Sequence, residues 1–202
     1  MINVCVVTFN RSDMLRTMLR TLRAMPVVPM VYLIDRGGNF FKEDLRYSFP
    51  RTPFKLINLE GNSLAAAWNW FAQNVPEERV ITNDDVEFPP GSLEAMVHTP
   101  GDFVGLDDGK SSNFACFVLR DSCVKKVGLF DEKISPDYLY FEDWDYYKRM
   151  LIAGIPIISV PGPIHKMSQT LEAKTPEQSA DHHIRFNIAK QNYLKKWNLN
   201  DT

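Results

Sequence analysis

The sequence lacks the features that mark membrane-spanning, secreted and disulfide-rich proteins. Its apolar runs, such as residues 155–160, are far shorter than the roughly 20 residues that a membrane helix needs. Its three cysteines form no C-x-x-C pair, which argues against a disulfide framework or a zinc site and favours reduced thiols. The first residues carry neither a basic segment nor a long apolar one, so no signal peptide is predicted. We therefore expect a cytoplasmic protein without a transmembrane segment.

The sequence also lacks a strong excess of either charge. Its formal net charge is −2 over 202 residues, so the composition predicts no nucleic-acid partner. No linker, repeat or low-complexity segment divides the chain, and 45% of its residues are apolar, which is enough for one substantial core. We expect a single domain over residues 1–202.

Two common phosphate-binding loops are missing as well. The sequence contains no G-x-G-x-x-G after its first apolar run and no G-x-x-x-x-G-K-[ST]. These loops hold phosphates in dinucleotide-dependent dehydrogenases and in P-loop enzymes, respectively. Their absence argues against both classes.

Short apolar runs and amphipathic segments alternate over residues 1–90. The apolar runs predict buried strands, and Met14, Leu15, Met18, Leu19 and Leu22 follow the 3.6-residue period of a helix. Asn10 and Ser12 are both candidate N-caps for that helix. The alternation predicts an α/β fold with a mainly parallel, Rossmann-like sheet flanked by helices. Strands are predicted at 2–8, 31–34, 54–59 and 79–82, and a second helix at 63–74.

The remaining residues follow a less regular pattern. Alternating and aromatic-rich strands are expected there, which favours a small antiparallel part beside the parallel sheet. One helix should begin at Glu142 and end at a C-cap near Gly154. The other predicted elements are strands at 102–106, 113–119 and 155–160 and helices at 91–99, 121–127 and 178–197.

Polar residues gather where the predicted strands end. Ligands of open α/β sheets lie outside the carboxyl ends of the strands, so these residues predict a nucleotide site. Asp84 and Asp85 are adjacent carboxylates without a local cation, a pattern that favours a divalent ion such as Mg²⁺ or Mn²⁺. The alternative for this pair is an acidic turn before Pro89-Pro90-Gly91. The strand-end residues are Thr8, Asn10 and Arg11; Asp35; Gly61 and Asn62; and Asn83, Asp84 and Asp85.

A second acidic group, Glu142 and Asp143, begins a predicted helix among Tyr138, Tyr140, Phe141 and Trp144. Aromatic surface beside a carboxylate suits a pocket in which a sugar stacks while a base takes a hydroxyl proton. The alternative is that these acids only stabilise the positive end of the helix dipole. His165 follows the last predicted strand, where a ligand role and a structural role are both open.

Six motifs follow one another along the chain: VVTFNR, LID, NLEGNSLAAAWN, ITNDDVEF, VGLFDEK and YFEDWDYYKRMLIAGI. Together they resemble the GT-A nucleotide-sugar glycosyltransferases, and most closely the inverting family 2. The resemblance covers residues 4–165 and implies a single-domain GT-A fold. It implies a nucleotide-binding half at 1–90 and an acceptor and catalytic half at 91–170, followed by a C-terminal helix at 176–202.

The resemblance also implies roles for individual residues. Asp143 is expected to be the general base and Glu142 to shape the acceptor pocket. Asp85 is expected to bind the metal, with Asp84 at the ribose or at a metal-bound water and His165 beside the diphosphate. Asn83 replaces an aspartate of many relatives. The nucleoside is assigned to Thr8, Asn10, Arg11 and Asp35, and the rest of the donor to Gly61, Asn62 and Asn69.

These roles together predict an enzyme that depends on Mn²⁺ or Mg²⁺. It would transfer a sugar from a nucleotide-diphospho-sugar, with UDP the commonest nucleotide among the relatives, to an acceptor hydroxyl with inversion. The expected acceptor is a glycan, a lipid-linked sugar or another hydroxyl compound. Two alternatives stay open at this point: a sugar nucleotidyltransferase, and a non-catalytic binding module on a degenerate copy of the fold.

Overall fold

The computed structural model describes most of the chain. The residues described are 1–9, 11–36, 49, 51–59, 63–77, 79–107, 113–136, 140–166 and 176–200. The predictions for Asn10, Gly61 and Asn62 lie outside these residues, as does that for Tyr138.

A seven-stranded sheet forms the centre of the molecule, with strand order β3-β2-β1-β4-β7-β6-β8. β7 runs antiparallel to both of its neighbours, and the other pairs in the sheet are parallel. A separate two-stranded antiparallel ribbon pairs β5 with β9. The strands are β1 (Asn3–Thr8), β2 (Met30–Asp35), β3 (Phe54–Ile57), β4 (Arg79–Asn83), β5 (Val86–Glu87), β6 (Phe103–Leu106), β7 (Cys116–Leu119), β8 (Ile157–Val160) and β9 (Ile164–His165).

β1 lies inside the sheet and is buried on both faces, as its nearly continuous apolar sequence predicts. Val4 and Val6 point into one core, and Cys5 and Val7 point into the other. The period-2 alternation of side chains therefore divides a single strand between two hydrophobic layers.

Helices cover both faces of this sheet. The α1 side chains Leu15, Met18, Leu19 and Leu22 pack in the core of Val4 and Val6. Trp68 and Phe71 of α2 pack on the opposite face. The helices are α1 (Ser12–Arg23), α2 (Leu64–Asn74), α3 (Ser92–His98), α4 (Asp121–Val127), α5 (Glu142–Ile152) and α6 (Pro176–Trp197).

The predicted fold class is confirmed: a mixed α/β molecule with a mostly parallel central sheet flanked by helices. Several details of the prediction were wrong. The third strand was predicted to end at residue 59 and ends at Ile57. The predicted strand at 113–119 begins as a 3₁₀ turn, Asn113–Ala115, and only then becomes β7. The last predicted strand starts two residues later, at Ile157. β5 and β9 were missed because two-residue strands are too short to show an alternation.

Within the part of the chain that the structure describes, no helix is both long and apolar enough to cross a membrane.

Trp68 anchors the core beneath α2 and provides a test of the packing. Its ring is 2% exposed and lies 4.9 Å from Phe130 and 5.3 Å from Phe117, measured between ring centroids. Trp68→Ala should lower the free energy of unfolding by about 3–5 kcal/mol, because it leaves a cavity among these rings. Trp70→Ala, on the half-buried side of the same helix, is the control and should lose clearly less. Equal losses in urea unfolding would contradict this packing.

Candidate active site

The ends of three parallel strands lie side by side at one edge of the sheet. Thr8 at the end of β1 is in register with Asp35 of β2, and Val7 is in register with Asn83 of β4. Asp84 and Asp85 follow Asn83 directly. The structure thus brings together the polar strand ends of the first half of the chain that it describes.

Asp84 points into the protein. Its carboxylate is fully buried, accepts a hydrogen bond from the Thr8 hydroxyl at 2.6 Å, and pairs with the Arg11 guanidinium at 2.9 Å. Burial raises the pKa of Asp84 to about 6, although the Arg11 charge and the Thr8 hydroxyl both oppose that shift. Asp84 therefore links β1, the start of α1 and β4.

Asp85 shares the Arg11 guanidinium with Asp84 and also contacts His165, a residue 80 positions later in the chain. Its Oδ1 lies 3.4 Å from His165 Nε2, and its Oδ2 lies 3.4 Å from Arg11 Nη1. The β5–β9 ribbon makes this contact by pairing Val86 with His165. Burial would raise the pKa of Asp85, but His165 and Arg11 together outweigh it and lower the pKa.

A cavity of about 260 Å³ opens beside the two aspartates. The side chains of α1 form one wall, and the residues around β5 and β9 form the other. The cavity is strongly acidic, with Lys166 contributing a cation at its rim. Its charged lining consists of Asp13, Asp84, Asp85, Glu87 and Lys166.

The donor set suits a metal ion that shares its ligands with a substrate. No group of three His, Cys, Asp or Glu side chains that could hold an ion occurs among the described residues. Asp85 and His165 are nevertheless adjacent, and the buried Asp85 Oδ1 has no hydrogen bond of good geometry. Mg²⁺ is typically held by one or two carboxylates, with phosphate oxygens and waters completing its shell. The residues fit an ion that binds together with a diphosphate.

Glu142 and Asp143 begin α5, and their environments differ. Glu142 is 3% exposed, and its Oε2 has no hydrogen-bond partner among the described residues. Burial, reinforced by the Asp143 charge, raises the pKa of Glu142 to about 8. Asp143 is half-buried, and its Oδ1 accepts a hydrogen bond from the Trp144 amide at 2.8 Å. At neutral pH, Glu142 therefore keeps its proton.

Arg36, for which the sequence predicts no role, lies between the end of the sheet and the start of α5. Its amide donates to the Thr8 carbonyl at 2.9 Å, so it continues the β1–β2 ladder past the end of the strands. Its guanidinium is close enough to Glu142 to oppose the rise in that carboxyl's pKa. The start of α5 therefore lies within electrostatic reach of the residue that follows β2. No sequence spacing predicts this contact, because the two residues are over 100 positions apart.

Asn69 has an internal set of partners. Its amide group donates to the Phe130 carbonyl at 3.0 Å and to Glu132 Oε1 at 2.8 Å, and its Oδ1 accepts from the Phe130 amide at 2.8 Å. These bonds tie α2 to the segment that follows α4. A contact between Asn69 and a sugar donor stays a prediction.

The aromatic residues around Glu142 separate into two groups. Trp144 is 59% exposed and is available to an incoming molecule. Tyr140 and Phe141 instead contact α6, where their rings lie 5.1 Å and 5.2 Å from the ring of Phe186. The expected aromatic pocket is therefore only partly formed by these residues.

Comparisons with known proteins agree on the fold. No protein-family model matches the chain. The chain is 23% identical to a Bacillus subtilis (strain 168) protein named Uncharacterized glycosyltransferase YwdF, over 73% of this chain and 67% of that protein. The glycosyltransferase GlyE of Streptococcus pneumoniae TIGR4 superposes with a TM-score of 0.60 at 10% identity, covering 96% of this chain and 64% of GlyE. The chain thus spans less than two-thirds of GlyE.

The inositol-1-phosphate CTP transferase of T. maritima shares the same architecture. It superposes with a TM-score of 0.59 at 10% identity, and the match covers 95% of this chain and 96% of that protein. The chain therefore has the fold of the nucleotide-diphospho-sugar transferases, which both glycosyltransferases and nucleotidyltransferases use.

The raised pKa of Glu142 makes a prediction about stability. The folded protein holds this proton up to about pH 8, whereas an unfolded glutamate loses it near pH 4.5. Between these pH values the unfolded chain has lost the proton and the folded protein still holds it. The free energy of unfolding of the wild type therefore falls as pH rises, by at most about 1.4 kcal/mol per pH unit. Glu142→Gln removes this loss, so its stability relative to the wild type should increase from pH 5 to pH 8.

Urea unfolding at several pH values measures the difference. The matched control is Glu77→Gln, which makes the same substitution at an exposed glutamate outside the site. If the difference in free energy of unfolding between Glu142→Gln and the wild type stays constant from pH 5 to pH 8, the pKa of Glu142 is not raised.

Proposed function

We propose that the chain is a metal-dependent glycosyltransferase. It transfers a sugar from a nucleotide-diphospho-sugar to an acceptor hydroxyl with inversion, and a UDP-sugar is the first donor to test. The observation that carries this proposal is the pair of buried carboxylates, Asp84 and Asp85, at the end of β4, where Arg11 pairs with both. Glu142 supports it, because its carboxyl lies within electrostatic reach of Arg36, the residue that follows β2 in the same sheet. The glycosyltransferase names of YwdF and GlyE support the choice of reaction.

The nucleoside is proposed to lie across the ends of β1 and β2. Thr8 and Asp35 are in register there, and Asp35 would accept a hydrogen bond from the base. Arg11 neutralises Asp84 and Asp85 and lies where it could also contact an anionic donor. Asn10, Gly61 and Asn62 belong to the same proposal on the resemblance alone.

Asp85 and His165 are the residues proposed to hold the divalent ion, and Asp84 supports them from within the protein. A bound Mn²⁺ or Mg²⁺ would offset the negative charge that develops on the leaving diphosphate. Asp85 is suited to this role because its lowered pKa keeps it ionised. His165 orients it from the neighbouring strand at 3.4 Å.

Asp143 is proposed as the general base that takes the proton of the acceptor hydroxyl. A base has to be ionised, and the buried Glu142 holds its own proton below about pH 8. Two neighbouring carboxyls in different environments commonly take different roles in one reaction. Glu142, in its neutral form, would instead shape the acceptor pocket from within the protein. The acceptor could belong to a glycan, a lipid-linked sugar or another hydroxyl compound.

A sugar nucleotidyltransferase is the second candidate, because the T. maritima CTP transferase shares the fold. The products distinguish the two reactions. A glycosyltransferase with water as the slow acceptor releases free sugar and a nucleoside diphosphate, whereas a nucleotidyltransferase releases pyrophosphate from a nucleoside triphosphate and a sugar phosphate. We expect Mn²⁺-dependent release of a nucleoside diphosphate from at least one donor in a panel of UDP-, GDP- and dTDP-sugars. Release of pyrophosphate from a nucleoside triphosphate and a sugar phosphate would instead favour the nucleotidyltransferase. If neither a nucleoside diphosphate nor pyrophosphate is released, the result would favour a non-catalytic binding module.

Metal dependence can be tested by binding alone. UDP should bind more tightly with Mn²⁺ than with EDTA, and Asp85→Asn should remove most of that difference, because the amide is a weaker metal ligand. Asp13→Asn, which changes another carboxylate of the same cavity, is the control. Isothermal titration calorimetry gives the affinities. An equal affinity for UDP with Mn²⁺ and with EDTA in the wild type would refute metal dependence.

The role of Asp143 can be tested with a variant that keeps the shape of the side chain. Asp143→Asn cannot accept the proton, so turnover should fall by about 10²–10⁴-fold while the donor still binds. Glu142→Gln should lower turnover less, since Gln retains hydrogen-bonding reach. The measurements are turnover and donor affinity for both variants at pH 7. If Asp143→Asn turns over at the wild-type rate, the base is another residue and Glu142 is the next to test.

A further inference from the structure

The backbone just before the two carboxyls at the start of α5 is strained. Tyr140 has φ of +112° and Phe141 has φ of +65°, which places both in a region that residues other than glycine rarely adopt. Phe141 is also the N-cap of α5, and its side chain makes no capping hydrogen bond. Such a conformation persists only when surrounding contacts hold it in place.

One face of the C-terminal helix α6 supplies those contacts. The Tyr140 hydroxyl lies 3.1 Å from His182 Nε2. The ring of Phe186 lies 5.1 Å from the Tyr140 ring and 5.2 Å from the Phe141 ring. Tyr193 stacks on Phe141 at 5.5 Å. Phe186 is thus the residue that touches both strained positions.

The same helix also holds the other side of the carboxyl pair. Asp145, in the first turn of α5, is fully buried, and its Oδ1 accepts from Trp197 Nε1 at 3.0 Å and pairs with Lys196 Nζ at 2.7 Å. Its Oδ2 pairs with Arg149 at 2.9 Å. Lys196 also pairs with Asp131 at 2.8 Å, which fixes the lysine itself. Glu142 and Asp143 therefore lie between two attachments to one helix.

We propose that this face of α6, formed by His182, Phe186, Tyr193, Lys196 and Trp197, is a brace that fixes the position of Glu142 and Asp143. Phe186 is its central positioning residue, because it packs on both left-handed residues. The catalytic consequence rests on the proposed function. A base has to be held within a fraction of an ångström of its working geometry, and a displacement of about 1 Å can lower a rate about 10²-fold.

The outer face of the same helix offers a matched control. Ile184 and Ile188 are 59% and 52% exposed, in contrast to the inner residues. Both residues lie in the same helix as Phe186 and within two positions of it, but their side chains are exposed to solvent. A variant at Ile188 therefore measures the effect of changing an apolar residue of α6 while the brace contacts stay intact.

The experiment compares Phe186→Ala, the milder Phe186→Leu and Ile188→Ala in the full chain. Hydrogen–deuterium exchange of the amides at 140–146 reports the position of the pair without any substrate. Donor turnover uses the nucleotide-sugar that the wild type hydrolyses fastest, and UDP affinity with Mn²⁺ is measured separately. For Phe186→Ala we expect at least tenfold faster exchange at 140–146, roughly 10- to 100-fold lower turnover, and UDP affinity within twofold of the wild type.

Phe186→Leu should also speed exchange at 140–146 and lower turnover, but by less. It replaces Phe186→Ala in the test if the alanine variant fails to fold. Ile188→Ala should match the wild type in all three measurements. The brace is refuted if Phe186→Leu and Ile188→Ala leave exchange at 140–146 equally unchanged, or if UDP affinity falls as far as turnover does. If exchange rises as expected while the wild type hydrolyses no donor, the brace stands and the proposed function fails.

Discussion

The site depends on one electrostatic constraint, which is the burial of two adjacent carboxylates at the end of a central strand. Asp84 and Asp85 are 0% and 8% exposed, and such charges require compensation within the protein. Arg11 pairs with both, the Thr8 hydroxyl donates to Asp84, and His165 approaches Asp85. The parallel register of β1 and β4 makes these contacts possible, because it aligns the ends of the two strands. The sheet thereby builds a site with opposite charges already in place.

The second half of the chain completes this edge in two ways. The β5–β9 ribbon carries His165 back to Asp85. The start of α5 brings Glu142 near Arg36, and α6 packs against the strained residues that precede it. The first half of the chain thus forms the donor side of the proposed site, and the second half forms the side where proton transfer is proposed. Burial makes the two carboxyls of α5 different, since Glu142 is sealed in and Asp143 is partly open to solvent.

The sequence predicts those parts of this arrangement that depend on regular patterns. β1 is a buried apolar run and α1 has a 3.6-residue period, so both could be predicted, as could the meeting of strand ends at Thr8, Asp35 and Asn83. The structure adds contacts that no local pattern contains. β5 and β9 have two residues each, and their pairing depends on residues almost 80 positions apart. The left-handed Tyr140 and Phe141 carry no glycine signal, and tertiary contacts with α6 hold them in place.

The central claim is that one sheet edge binds a nucleotide-diphospho-sugar with a divalent ion at Asp85 and His165. A crystal structure of the chain with Mn²⁺ and a nucleotide-sugar, with anomalous scattering recorded at the manganese edge, tests it most directly. The account predicts an anomalous peak coordinated by Asp85 and the diphosphate, with the nucleoside across the ends of β1 and β2 and the sugar between the ion and Asp143. A nucleotide bound at another face of the molecule, or an ion that does not contact Asp85, would contradict it.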